Sequence, residues 1–286
     1  MLLSRPVSVQ ESWAKKLKIM SLLFDIEIKA RKNHARIGLG IAKVSEKLIQ
    51  SAQAASEYAR VVLVGDEKEI KATGTDLEVI HSNEPSKKLV ELLINGKIDG
   101  AVRGTLSATK TLSELKKSLN VAKLYRVALL ETADGRPFFL APVGIDEGNS
   151  VDDKVELIKR ASRHFERLGV EMRVGILSGG RFEDIGRDKT VDRTLEDAEL
   201  VTKKVAELGI KAKNYSILIE DAIEEANFIM APDGISGNLI FRTLVFLGGG
   251  YGHGAPVLME KVFVDTSRAG GHYTRAIMLA SALKRT

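Results

Sequence analysis

Val262-Phe-Val-Asp-Thr-Ser-Arg-Ala-Gly-Gly-His-Tyr-Thr-Arg275 reads as a strand, a loop of small residues and the opening of a helix that continues through Ile277, Leu279 and Leu283. A strand that feeds a helix N-terminus leaves free backbone N–H groups and the positive end of the helix dipole facing the loop, which favours an anion there. Ser267, Gly270 and Gly271 line that loop, and Arg268 offers a planar fork that suits phosphate. A second opening of this kind lies upstream, in Ala231-Pro-Asp-Gly-Ile-Ser-Gly-Asn-Leu-Ile-Phe-Arg242. There Asn227 to Ala231 is a short apolar run, Ser236 takes the N-cap position, and Leu239, Ile240, Leu244 and Val245 form a helical stripe. Gly237 permits close approach of a ligand to the backbone, and Asn238 presents an amide in the first turn. Between the two openings, Gly248 to Gly254 reads as a flexible glycine connection; no Gly-Lys-Ser/Thr follows, so it is not a Walker loop.

Working back towards the start, apolar runs alternate with helical patterns. Trp13, Leu17, Met20 and Phe24 predict an amphipathic helix over about Val9 to Lys29. Ile37 to Ile41, Arg60 to Gly65 and Ile98 to Arg103 predict strands, with helices carried by Val44, Leu48, Ile49 and Ala52 and begun by Pro85. This alternation predicts an open α/β fold with a mostly parallel sheet and helices on both faces. The loop Arg103-Gly-Thr-Leu-Ser-Ala-Thr109 leaves a strand's carboxyl end, where such sheets bind ligands. Arg103, Thr105 and Ser107 are its candidate ligand contacts, and a plain helix cap is the competing reading of Ser107.

Ala133-Asp-Gly135 joins two runs, Tyr125 to Glu131 and Arg136 to Ala141, as a hairpin that opens a second domain or edges its sheet. A helix bearing Val155, Ile158, Phe165 and Leu168 follows, then a strand from Arg173 to Leu177. The glycine-rich loop Ser178 to Asp188 reads either as a lid hinged at Gly179 and Gly180 or as a solvated loop. Asp192 to Glu207 predicts a helix, Tyr215 to Ile219 a strand, and Glu220, Asp221, Glu224 and Glu225 an exposed acidic helix face.

Composition narrows the function. A chain of 286 residues accommodates roughly two domains of about 150 residues. Its net charge of +5 is spread among alternating acids, and aromatics make up only 5%, so stacking platforms for nucleic acid are scarce. Cysteine is absent, which excludes disulfides, thiolate metal sites and a cysteine acyl-enzyme and fits a cytoplasmic protein. No apolar run approaches ~18 residues, so no membrane span is expected. The five histidines show no metal-ligand spacing. Gly38-Leu-Gly40 lacks the third glycine of a dinucleotide fingerprint, so no tightly bound cofactor is expected.

The pair Pro232-Asp-x-x-Ser-Gly-Asn238 and Asp265-x-Ser-Arg-Ala269 resembles the C-terminal signature of the phosphate acetyl/butyryltransferases. Asp233 to Asn238 also resembles the phosphate acyltransferases of phospholipid synthesis. Within that superfamily the chain from about Ala35 onward is most similar to the methanogenesis-marker MtxX family, described as methyltransferase-related subunits; only the C-terminal motifs are specific.

The resemblance implies a two-domain, three-layer α/β/α architecture of the isocitrate/isopropylmalate-dehydrogenase-like kind, and a homodimer. Residues 1–122 plus 257–286 would form one domain and 123–256 the other, with a cleft between them. It implies that Thr105 and Ser107, Ser236, Gly237 and Asn238, and Ser267 and Arg268 converge there on a phosphorylated or acyl-phosphate ligand. Two activities stay open: acyl transfer between phosphate and a thiol such as coenzyme A, or an accessory role beside methyltransferase proteins without such turnover. One position departs from the pattern. The acetyltransferases carry an aspartate, thought to help deprotonate the thiol, seven residues after the signature serine; here that residue is Thr274. A general base contributes about 10²–10⁴-fold, and positioning alone supplies about 7–11 kcal/mol, so catalysis survives the loss on paper. His272 is the candidate replacement, against the plainer reading that it simply opens the helix.

Overall fold

The computed structural model describes residues 21–267 and 272–285. Helix α1 (Ser21–Asn33) buries Leu22, Ile26 and Ala30, one residue per turn along a single face. Phe24, expected on the apolar stripe, is 61% exposed; the buried face is rotated from it, and Trp13, Leu17 and Met20 lie outside the described residues.

Strand β1 (Ala35–Gly40), helix α2 (Glu46–Ala54), β2 (Ala59–Gly65), α3 (Glu67–Lys71), β3 (Glu78–His81), α4 (Pro85–Ile94), β4 (Gly100–Val102) and α5 (Ala108–Leu119) follow in strict alternation. Their helix starts are set locally. Ser45, Asp66 and Ser107 each accept a hydrogen bond from the backbone N–H three residues on, and Pro85 opens α4.

The hairpin of β5 (Ala128–Glu131) and β6 (Pro137–Ala141) comes next, then α6 (Val151–Leu168), β7 (Arg173–Ile176), α7 (Lys189–Glu207), β8 (Lys211–Asn214), α8 (Ile219–Glu225), β9 (Phe228–Met230) and α9 (Gly234–Phe246). Strands β10 (Tyr251–Pro256) and β11 (Val262–Asp265) and helix α10 (Thr274–Ala282) complete the chain.

Hydrogen bonds join the strands in the order β3-β2-β1-β4-β11-β10-β5-β6-β9-β7-β8. The first five run parallel, as do β6, β9, β7 and β8. Between these groups, β10 and β5 pair antiparallel with each neighbour. β10 touches β11 only through Ala255 and Pro256 and carries the rest of its length past the end of β11 to pair with β5. Because β6 runs antiparallel to β5, its carboxyl end at Ala141 returns towards the carboxyl ends of β4 and β11.

Two expectations are corrected here. The glycine run before Gly254 is no loose tether: Tyr251 to Pro256 is the strand that links the two parallel groups, and Gly254, at φ +115°, sits where a Cβ would come 2.6 Å from Val264. The strand expected at Tyr215 to Ile219 lies instead at Lys211–Asn214, and Ile219 begins α8. β8 is an edge strand whose lysines face solvent, so it lacks the apolar run by which strands are recognised.

The buried apolar residues form three clusters around the sheet. Phe165 of α6 meets Phe139 and Phe228 edge-on, with centroids 5.2 and 6.2 Å away, which ties α6 to β6 and β9. Helix α10 packs against α1 and over β1, β4 and β11. Ser281, fully buried within it, donates to Tyr58 O at 2.8 Å and accepts from Ala35 N at 3.0 Å.

Candidate functional site

The parallel pairing of β4 with β11 sets Arg103 and Asp265 side by side at the two strands' carboxyl ends. They form a buried ion pair through Arg103 Nε and Asp265 Oδ1, while Arg103 Nη1 donates to Leu106 O at 2.6 Å. Arg126, just before β5, reaches the other oxygen: its Nη1 lies 3.4 Å from Asp265 Oδ2. Its Nε and Nη2 engage Glu147 Oε1 at 3.0 and 2.9 Å. Glu147 belongs to the loop that follows β6 through a cis Ala141–Pro142 peptide, and it is 2% exposed. Burial draws the Glu147 carboxyl above its ordinary range although Arg126 pulls it down. Burial also works against the Arg126 charge, but Glu147 and Asp265 outweigh it and hold its proton more tightly than usual.

Helix α9 docks on the same loop. Its N-cap is Asp233, not Ser236: Asp233 Oδ1 accepts from Ser236 N at 2.7 Å and the helix begins at Gly234. The turn therefore starts three residues earlier than the serine suggested. The glycines of this motif let the α9 backbone approach the 142–148 loop of the same chain. A Cβ on Gly234 would lie 1.8 Å from Gly144 O, and one on Gly237 would lie 1.9 Å from Pro142 O. Asn238 Nδ2 donates to Val143 O at 3.0 Å, so its amide fixes the loop rather than standing free.

On the β4 side, Thr105 Oγ1 accepts from Ala42 N at 2.9 Å and Lys43 N at 3.1 Å, tying down the loop after β1. Ser107 caps α5 through Lys110 N at 3.4 Å. Both hydroxyls thus hold backbone. Thr266 donates its N–H to Asp265 Oδ1 at 3.0 Å, and Ser267 beside it is exposed. Arg268, Gly270 and Gly271 lie outside the described residues. His272 is exposed, and Tyr273, at the N-cap of α10, is buried with its hydroxyl unpartnered among the described residues. Thr274 turns its hydroxyl to Ser51 O at 2.9 Å, docking α10 on α2.

The arrangement brings together the Arg103–Leu106 turn, the Asp265–Ser267 turn, the 142–148 loop and the first turn of α9. Arg126, Glu147 and Asp265 were not among the candidates read from the sequence. Arg126 and Glu147 follow no motif; the β5–β6 hairpin sets them opposite each other, and the pairing of β10 with β11 and β5 brings in the distant Asp265. A second cluster flanks α10: His253 Nε2 lies 2.8 Å from Glu131 Oε2, and Arg275 Nη1 lies 2.5 Å from the same oxygen. Burial first, and Arg275 after it, lower His253 to about 4 against the pull of Glu131. The Ser178–Asp188 loop is held by its own polar groups: Gly179 N donates to Thr194 Oγ1 at 2.8 Å, Gly186 N to Asp192 Oδ1 at 2.9 Å, and Asp188 caps α7. Among the described residues no three His, Asp or Glu side chains are grouped to hold a metal, and no helix is long and apolar enough to cross a membrane.

This geometry is that of the phosphotransacylase fold. A phosphotransacetylase from Staphylococcus aureus superposes with a TM-score of 0.70 at 16% identity, covering 93% of this chain and 99% of that one. A branched-chain phosphotransacylase from Enterococcus faecalis gives 0.67 at 16% identity, covering 87% and 98%. A phosphate butyryltransferase from Clostridium acetobutylicum is 23% identical across 88% of this chain and 93% of its own. No family model matches the sequence. Closer relatives carry a different name: a protein of Methanosarcina mazei, provisionally named methyltransferase mtx subunit X, is 60% identical over 266 residues, 92% of this chain and 95% of its own. The chain belongs to this mtx subunit X family.

Proposed function

We propose that the chain binds an acyl phosphate in a cleft between two domains, residues 1–122 plus 257–286 and residues 123–256, and passes the acyl group to a thiol such as coenzyme A. The observation that carries this reading is the meeting of the Arg103, Asp265 and Arg126 side chains with the 142–148 loop and the start of α9. The names of the structural neighbours, phosphotransacetylase and phosphotransacylase, support it.

In this reading Ser267 and Arg268, with the Gly270–Gly271 amides and the α10 N-terminus, hold the phosphate, and Arg126 adds the partly exposed face of its guanidinium. The thiol sulfur attacks the acyl carbon. The new C–S bond forms as the bond from carbon to the phosphate oxygen breaks, and phosphate leaves with the electron pair. The thiol proton passes to His272, the base this reading assigns, or directly to the departing phosphate. Fixed positive groups around the leaving oxygens supply the stabilisation. With no cysteine in the chain, transfer runs directly between two bound substrates.

A second reading rests on two specific observations: the names of the 60% identical relatives, and the Thr274 hydroxyl bonded to Ser51 where the acetyltransferases carry a carboxylate. It makes the chain an accessory subunit of methyltransferase proteins that keeps the anion site without turnover. The homodimer belongs to either reading. Ile235, Leu239 and Phe246 on α9 and Leu247 and Tyr251 beyond it, all exposed, are the apolar surface a second copy would cover.

Calorimetry with acetyl phosphate and coenzyme A, beside an assay for acetyl-coenzyme A, separates the readings. Binding of both ligands, with turnover lost in Arg268→Ala, upholds the enzyme. Phosphate binding without turnover transfers the conclusion to the accessory subunit. Absence of any Arg268-dependent anion binding would sink both.

A further inference from the structure

Away from that cluster, the end of α10, the β10–β11 turn, α6 and α1 line an open pocket of about 610 Å³. Among the described residues five cations line it, Lys29, Arg163, Arg167, Lys284 and Arg285, against two carboxylates, Glu166 and Glu260. Glu260 alone serves three guanidiniums: Arg285 Nη1 lies 2.5 Å, Arg167 Nη2 3.5 Å and Arg163 Nη1 3.7 Å from its oxygens. Arg167 is 11% exposed at its side chain, and its Nη1 is buried with no hydrogen-bond partner among the described residues. Burial above all, with Arg285 and Arg163 adding to it against Glu260, weakens the hold of Arg167 on its proton.

Three forks around one carboxylate hold like charges close together, a cost that an added anion reduces. A neutral ligand would leave these like charges uncompensated, and a cation would be repelled. Planar guanidiniums match the paired oxygens of a phosphate. The volume falls within the range of roughly 300–1,000 Å³ usual for small-molecule sites, larger than a lone phosphate requires. The pocket stands apart from the candidate acyl-phosphate loop: from Tyr273 at the head of α10 to Lys284 beyond its end is eleven residues, about 16 Å along a helix.

We propose that this pocket is a second anion site, which takes a small ligand carrying a diphosphate or comparably charged phosphate group on Arg163, Arg167 and Arg285. The proposal does not depend on acyl transfer elsewhere in the molecule.

Calorimetry on the full chain with inorganic pyrophosphate, ADP and inorganic phosphate tests it. Saturable binding of pyrophosphate or ADP, tighter than that of phosphate, is expected. Binding of ADP at least as tight as pyrophosphate identifies a nucleotide ligand, and a preference for pyrophosphate identifies a free polyphosphate. Arg163→Ala with Arg285→Ala, both exposed positions chosen to spare the largely buried Arg167, should weaken binding about 100-fold, roughly tenfold for each guanidinium removed from the ligand. Arg285→Lys should recover part of the loss, and Arg268→Ala should leave this affinity unchanged. No binding at millimolar pyrophosphate and ADP, binding indifferent to the double substitution, or loss in Arg268→Ala alone would overturn the site.

Discussion

Arg126 Nη2 lies 2.9 Å from Glu147 Oε1, and this ion pair fastens the segment before β5 to the loop after β6. Glu147 is 2% exposed and its charge is compensated by Arg126, whose far side reaches Asp265 at the end of β11. One guanidinium thus joins three parts of the chain that the sequence keeps well apart.

Removing it should be costly. Arg126→Ala strands a buried carboxylate, a change that typically destabilises by about 3–5 kcal/mol. Urea unfolding should show that loss, and Arg126→Ala combined with Glu147→Gln should recover a substantial part of it. A double variant no more stable than the single one would show that the pair is not what holds the loop.

Gly237 should tolerate no side chain. A Cβ there would meet Pro142 O at 1.9 Å, and backbone cannot swing aside as a flexible side chain can. Gly237→Ala is expected to lose about 1–3 kcal/mol, visible as a lower Tm. At the half-buried Ser162 of α6, whose hydroxyl bonds only Lys159 O within its own helix, alanine should by contrast change stability little. An unchanged Tm for Gly237→Ala would contradict the close docking of α9 on the 142–148 loop.

Thr274 is assigned to docking, not to proton transfer. Thr274→Val keeps the shape and removes the hydrogen bond to Ser51 O, for an expected loss of about 1 kcal/mol. Any acetyl-coenzyme A formation measured should keep its kcat. A collapse of kcat in a variant that remains folded would place the residue in the catalytic machinery.

Acid should unfold the protein through two buried histidines. Burial lowers His164 to about 4, with Arg167 adding to the effect, and His253 likewise falls to about 4, both from an ordinary 6.5. The unfolded chain takes up these protons first as pH falls. The stability they contribute is therefore complete above about pH 6.5 and is lost progressively down to about pH 4, on the order of 2–3 kcal/mol for each. Chemical denaturation between pH 7 and 5 should show the decline, and His164→Phe should remove about half of it. A stability that rises as pH is lowered through that window would contradict the burial of neutral imidazoles.

The exposed apolar face of α9 gives the homodimer its test. Leu239→Asp places a charge at the middle of the face formed by Ile235, Leu239 and Phe246. Sedimentation velocity should find a dimer in the parent chain and a monomer in the variant. A parent chain that sediments as a monomer would remove the second copy from either functional reading.

Local signals in the chain were enough for much of this architecture. Alternating apolar runs located β1, β2 and β4, Pro85 marked the start of α4, and Ala133-Asp-Gly135 marked the β5–β6 hairpin, because periodicity and turn chemistry act over a few residues. The same signals misplaced β8, whose lysine-bearing edge has no apolar run, and the cap of α9, where Asp233 and Ser236 both suit the position and only the docking of Gly234 on Gly144 decides between them. The candidate site divides in the same way. Its motifs, Asp233 to Asn238 and Asp265 to Ser267, are contiguous and could be read directly. The ion pairs among Arg103, Asp265, Arg126 and Glu147 could not, since they arise from β4 lying beside β11 and from β6 turning back towards them. The sequence by itself determined most of the strands and helices and the place of the α9 opening, but not β8, β10 or the residue that caps α9. The tertiary structure decided which charges share a buried space, because ion pairing depends on distance in space, and strand order alone brings these residues within a few ångströms of each other.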